Sequence, residues 1–127
     1  MTRQEVVSQV KAALHGSGIK AFEWARNVEL SDMPCVVIKD TSDTIQDESL
    51  YQLTHHLLIE AECYTSSGMA TVDDCRVLMS QVAQLIVDGV DNCTLVKSEL
   101  RVQQDETIIA AGMLSFEVIY LSNRNEV

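Results

Sequence analysis

The stretch YQLTHHLLIEAECY, residues 51–64, decides the fold. Read alternately, Tyr51, Leu53, His55, Leu57, Ile59, Ala61 and Cys63 fall on one side, and Gln52, Thr54, His56, Leu58, Glu60, Glu62 and Tyr64 on the other. Period-two alternation of this kind makes a long strand with one dry face and one mostly wet face. The run exceeds the ordinary strand length, so it is expected at the centre of its sheet, with one end free to project beyond it. Helices should cover the dry face, and solvent or another subunit should meet the wet one.

The flanking elements follow from that requirement. Downstream, Thr71 with Asp74 three places on opens a helix in which Val72, Cys75, Leu78, Met79, Val82, Leu85 and Ile86 keep helical spacing until Gly89. This is the densest apolar stripe in the chain, and it is predicted to lie across the face bearing Leu53, Leu57 and Ile59. Upstream, Thr2 and Glu5 have capping-box spacing; Val6, Val7, Val10, Ala13 and Leu14 then share a helical face that Gly16 should stop. Residues 19–28 alternate weakly and read as a short strand or an irregular connection. Pro34 introduces Cys35, Val36, Val37 and Ile38, an apolar run placed as the start of a strand.

DTSDTIQDES, residues 40–49, is polar and acidic with one apolar residue, Ile45, and is expected to be a mobile loop or hairpin tip. The last third reads as two strands, 94–103 and 108–121, joined by a turn at Asp105 and Glu106. In the second, Ala110, Gly112, Leu114, Phe116, Val118 and Tyr120 share one face, and Ala111, Met113, Ser115, Glu117, Ile119 and Leu121 the other. Both faces are unusually apolar for a strand exposed to water. Residues 123–127 read as a frayed polar tail. The expectation is one α+β domain over residues 1–127, a mixed, mainly antiparallel sheet with two helices packed on one face.

A chain of 127 residues can bury a core without a covalent staple. Nine basic against nineteen acidic side chains give a formal net charge of −10 and a pI near 4.5. That balance argues against a partner held by phosphate neutralisation, whether nucleic acid or anionic membrane. DNA can still pass an acidic wall without adhering. No apolar run approaches the ~20 residues of a membrane span, and residues 1–16 lack the features of a signal peptide, so the chain is expected to be cytosolic at birth. Cys35, Cys63, Cys75 and Cys93 are dispersed without C-x-x-C pairing and read as reduced packing residues. A zinc site with His55 or His56 is the sharper alternative, but their spacing matches no finger or ribbon.

Catalysis would need titratable groups that converge in a pocket. His55 and His56 are adjacent on a strand and point to opposite faces, so they cannot serve one metal or one substrate. His55 is expected to be a satisfied, largely buried imidazole. His56, Glu60 and Glu62 do share the wet face and form the one acid/base group to weigh against a merely solvated acidic surface. Asp40, Asp43, Asp47 and Glu48 lack the alternate carboxylates and central glycine of a calcium loop. No phosphate-loop, dinucleotide or nucleophile-elbow motif occurs in the sequence. No catalytic residue, cofactor or metal is therefore expected.

The order of these elements is similar to that of a known family. An N-terminal helix, MPCVVI at residues 33–38, the acidic loop, LTHHLLIEAE at 53–62, the helix from Thr71, and AAGMLSFEVIY at 110–120 together resemble the tail terminator proteins of long-tailed bacteriophages, the minor tail protein U family. The resemblance spans nearly the whole chain and rests on hydrophobicity, length and order. It implies an α+β fold and a non-enzymatic homo-oligomer, a hexameric ring that caps the finished tail tube, stops its growth and meets the head-tail connector. Assembly would take place in the host cytoplasm, the final location would be the virion tail, and DNA would pass through without specific binding. Under that reading Asp40, Asp43, Thr44, Ile45, Asp47 and Glu48 are expected to dock on the tube protein. Met113, Glu117, Ile119 and Leu121 are expected at the subunit interface. The competing classes are a head-tail completion protein of the neck and a small soluble enzyme or ligand-binding domain.

Overall fold

The computed structural model describes residues 1–23, 28–47, 51–66, 71–104 and 107–123. Helix α1 (Arg3–His15) begins where its N-cap residue, Thr2, is extended and its side chain accepts the Glu5 amide at 3.2 Å. Val6, Val7, Val10 and Leu14 form its buried stripe. Gly16 is not the left-handed stop that its position suggests: its φ is −60°, and the chain reverses instead at Gly18, φ +78°. An added Cβ at Gly18 would meet nothing within 4 Å, so glycine serves conformation there and not space.

Strand β1 (Ala21–Glu23) resolves the ambiguous segment as a short strand parallel to β2 (Cys35–Asp47), with Ala21 opposite Val36. Residues 24–27 of that segment lie outside the described residues. β2 corrects the expectation for the acidic stretch. Residues 40–47 are not a loop; they continue the strand and pair with β3 (Gln52–Thr65) as far as Asp47 opposite Leu53. Partner strand and β-branched Thr41, Thr44 and Ile45 outweigh the polar composition. The stretch was hard to read because it contains a bulge: Asp40 pairs with Ile59 and Ser42 with Leu58, leaving Thr41 extra. Before the bulge even-numbered Val36 and Ile38 face the helices; after it odd-numbered Asp43 and Ile45 do.

Helix α2 (Thr71–Gly89) buries Thr71, Cys75, Leu78, Val82 and Ile86 against the sheet, and strands β4 (Cys93–Gln104) and β5 (Ile108–Asn123) complete the chain as an antiparallel pair. The predicted turn at Asp105 and Glu106 lies outside the described residues. Among the described residues the sheet order is β1-β2-β3-β5-β4, mixed through the parallel pair β1–β2. This is the expected α+β architecture, with β3 central and both helices on one face. Leu57, Ile59, Ala61 and Cys63 of β3 and Leu114, Phe116 and Val118 of β5 form the sheet side of the core. Gly89 matters for close approach: an added Cβ would lie 2.8 Å from the Ala13 Cβ, so this glycine lets α2 touch α1.

β3 does not project alone. β5 accompanies it over its whole length, from Thr65 opposite Ala110 to Gln52 opposite Asn123. β1 reaches only Ile38 and β4 only Val118, so one end of the sheet narrows to the three strands β2, β3 and β5. That narrowed end carries Asp43, His55 and Ser122.

Candidate functional site

The acid/base group weighed from sequence is not brought together. His56 Nδ1 lies 3.6 Å from Glu117 Oε1 on β5, whereas Glu62 is held by Lys39 Nζ at 2.7 Å and by the Tyr64 hydroxyl. Six residues of strand separate His56 from Glu62, about 20 Å at the usual rise. Burial, then the hydrogen bond to Glu62, raises the Tyr64 phenol. These residues make a paired polar surface instead of a convergent one.

The proposed interface residues lie on the sheet face turned away from the helices. Met113 and Glu117 are half-buried there, and Ile119 and Leu121 are 38% and 48% exposed. At the sheet edge β4 pairs with β5 alone, and Leu95, Val96 and Val102 are 41%, 54% and 43% exposed. Leu95 and Val102 pair with Phe116 and Ala110, which places them on the helix side. A second bulge, at Val96, and the ion pair of Lys97 with Glu99 at 2.9 Å break the regularity of this edge. Lys97 also holds the exposed Glu99 carboxyl below the usual carboxylate range.

Of the proposed tube-docking residues, Asp40, Asp43, Thr44, Ile45 and Asp47 belong to β2 at the narrowed end. Asp40 is engaged by Arg3, whose Nε and Nη2 reach its carboxylate and carbonyl oxygen and so tie the start of α1 to β2. Thr44 and Ile45 are exposed, Ile45 by 43%. Glu48 and the side chain of Asp47 lie outside the described residues. Asp43 is turned inward by the bulge and serves His55.

His55 is buried and satisfied, as expected, but its partners were not foreseen. Nδ1 lies 2.9 Å from Asp43 Oδ2, Nε2 lies 2.6 Å from Ser122 Oγ, and the ring stacks on Tyr120 with centroids 4.3 Å apart and planes 13° apart. The register builds this set. Tyr120 is directly opposite His55 on β5; Ser122 and Asp43 are its diagonal neighbours on β5 and β2. A carboxylate can only accept, so Nδ1 carries a proton and donates to Asp43; Nε2 shares the second hydrogen bond with the Ser122 hydroxyl. The Tyr120 hydroxyl donates to Asp43 at 3.0 Å, and burial, then this bond, raises its phenol. One signal was available from sequence: the β5 alternation that places Tyr120 on the helix side places Ser122 there too. Asp43 could not be placed without knowing of the bulge.

All four cysteines are free thiols. Cys63 and Cys75 are buried together, with Cys75 Sγ 3.6 Å from the Cys63 carbonyl oxygen. Burial, with smaller contributions from Cys75 and Cys35, pushes the Cys63 thiol up to about 12. Compared with known proteins, the chain matches no protein-family model and no curated protein.

Proposed function

We propose that this chain is a structural subunit of a phage tail, a terminator that closes into a ring on the finished tube, ends its polymerisation and forms the joint to the head. The observation that carries this reading is a pair of distinct apolar patches on opposite sides of one sheet, Leu95 and Val102 with Val96 at the β4 edge, and Ile119 with Leu121 on the open face. A closed ring needs a heterologous contact, in which one patch meets a different patch on the neighbour. The element order on which the resemblance rests agrees with the observed order, apart from the acidic stretch that is strand. A net charge of −10 suits a lumen through which DNA slides.

In this reading the narrowed end, through Thr44 and Ile45, meets the tube protein, and the opposite side of the ring meets the connector. Val96→Asp and Ile119→Asp should each abolish rings while leaving the fold intact by circular dichroism. Mixing the two variants should restore one productive contact per pair and give dimers without rings. Rings that persist in either variant would remove that patch from the interface. Ile45→Asp should form rings that no longer cap purified tubes; capping at the wild-type level would remove this end from the docking surface.

A further inference from the structure

Asp43, His55 and Ser122 form a hydrogen-bonded relay of carboxylate, imidazole and hydroxyl, with distances of 2.9 and 2.6 Å. His55 alone needs only one partner for each nitrogen, and a buried pair would satisfy it. The relay, however, opens onto a cavity of about 270 Å³, lined by Thr2, Arg3, Ile45, His55, Tyr120 and Ser122 among others. Thr2 and Arg3 on its wall are the N-cap and the first residue of α1, the end at which the helix dipole is positive. Arg3 itself is engaged with Asp40, and the Met1 amino group, which also lines the cavity, donates to the Leu121 carbonyl oxygen.

We propose that this cavity is an acyl-transfer site in which Ser122 is the nucleophile, His55 the general base and Asp43 the positioning carboxylate, acting on small carboxylic esters. Asp43 accepts from Nδ1, which leaves Nε2, 2.6 Å from Ser122 Oγ, as the atom to take the hydroxyl proton. Attack forms the bond from Ser122 Oγ to the ester carbonyl carbon, the hydroxyl proton passes to His55 Nε2, and the carbonyl electron pair moves onto oxygen. Collapse breaks the bond to the alkoxide, which takes the proton from His55 and leaves as an alcohol. Water then repeats the sequence on the acyl-serine, so ester and water give acid and alcohol with nothing else consumed. The cavity volume and the apolar Ile45 and Tyr120 surfaces suit a short acyl chain. Tyr120 holds both Asp43, through its hydroxyl, and the imidazole plane, through stacking. The site stands independently of ring formation.

The test uses the full wild-type chain, incubated with a fluorophosphonate probe, digested and mapped by mass spectrometry, alongside hydrolysis of p-nitrophenyl butyrate. The expected result is a single adduct on Ser122, suppressed by the ester. Ser122→Ala should lower hydrolysis by about a hundredfold or more with an unchanged circular dichroism spectrum, and Asp43→Asn should lower it while Ser122 remains. Folded wild-type protein whose Ser122 stays unmodified would overturn the proposal even if Ser122→Ala proves unstable. So would hydrolysis that is the same with and without the serine hydroxyl.

Discussion

Leu57 and Leu58 are neighbours on β3 with opposite surroundings, and truncating each to alanine gives a measure of the register. Leu57 is 0% exposed and lies in the core under the helices, whereas Leu58 is half-buried on the open face. Each substitution removes three carbons, worth about 2.4 kcal/mol in transfer free energy at about 0.8 per methylene when burial is complete. At Leu57 the surrounding sheet and helices cannot collapse fully, so a cavity term raises the cost to about 3–4 kcal/mol. At Leu58 water already reaches part of the side chain and no cavity is enclosed, leaving about 1 kcal/mol. For a domain of this size, with a urea slope of about 1.5 kcal/mol/M, those figures separate the two midpoints by more than about 1 M. Urea titrations followed by far-ultraviolet circular dichroism in an Ile119→Asp background would keep assembly out of the comparison. Equal costs, or a larger cost at Leu58, would refute the register, because a slip of one residue exchanges the two faces.

Gly89→Ala places a Cβ 2.8 Å from the Ala13 Cβ and should destabilise by about 1–3 kcal/mol. Ala13→Gly in the same chain should recover part of that loss, and additive losses in the double-mutant cycle would show that the helices do not meet there. Stability should also fall at alkaline pH. Cys63, pushed up to about 12 by burial, keeps its proton in the folded chain while the unfolded thiol loses its own from about 9. The contribution is therefore complete below about pH 9 and declines above it by about 1.4 kcal/mol per pH unit, until the folded thiol ionises too. Urea midpoints measured across that range should show the decline, and Cys63→Val should lessen it, the raised Tyr64 and Tyr120 phenols supplying the rest above about pH 10; an unchanged slope in the variant would assign the effect elsewhere.

The parts of the fold that are legible in the sequence are those where side-chain periodicity and burial agree. β3 alternates as it reads, α2 buries Cys75, Leu78, Val82 and Ile86 as its stripe requires, and Thr2 caps α1. Legibility fails where the backbone departs from a regular period. The extra residue at Thr41 reverses the alternation of β2, so an acidic strand looks like a loop, and the same reversal carries Asp43 to His55. Gly16 and Gly18 both offer a helix stop, and which one turns left-handed depends on how the chain must re-enter the sheet at β1. Ile119 and Leu121, proposed for the interface, are legible as an apolar outer face because β5 keeps strict alternation there. The contrast between Asp40, tied to Arg3, and Ile45, left open, depends on contacts with α1 at long range, and these leave no trace in local composition.

The most direct measurement of the ring account is negative-stain electron microscopy of the purified chain over a concentration series, with mass photometry on the same samples. The account predicts closed annular particles of one subunit number that appear with rising concentration, with an open lumen wide enough for duplex DNA. A chain that stays monomeric at every concentration, or grows into open-ended filaments, would contradict it.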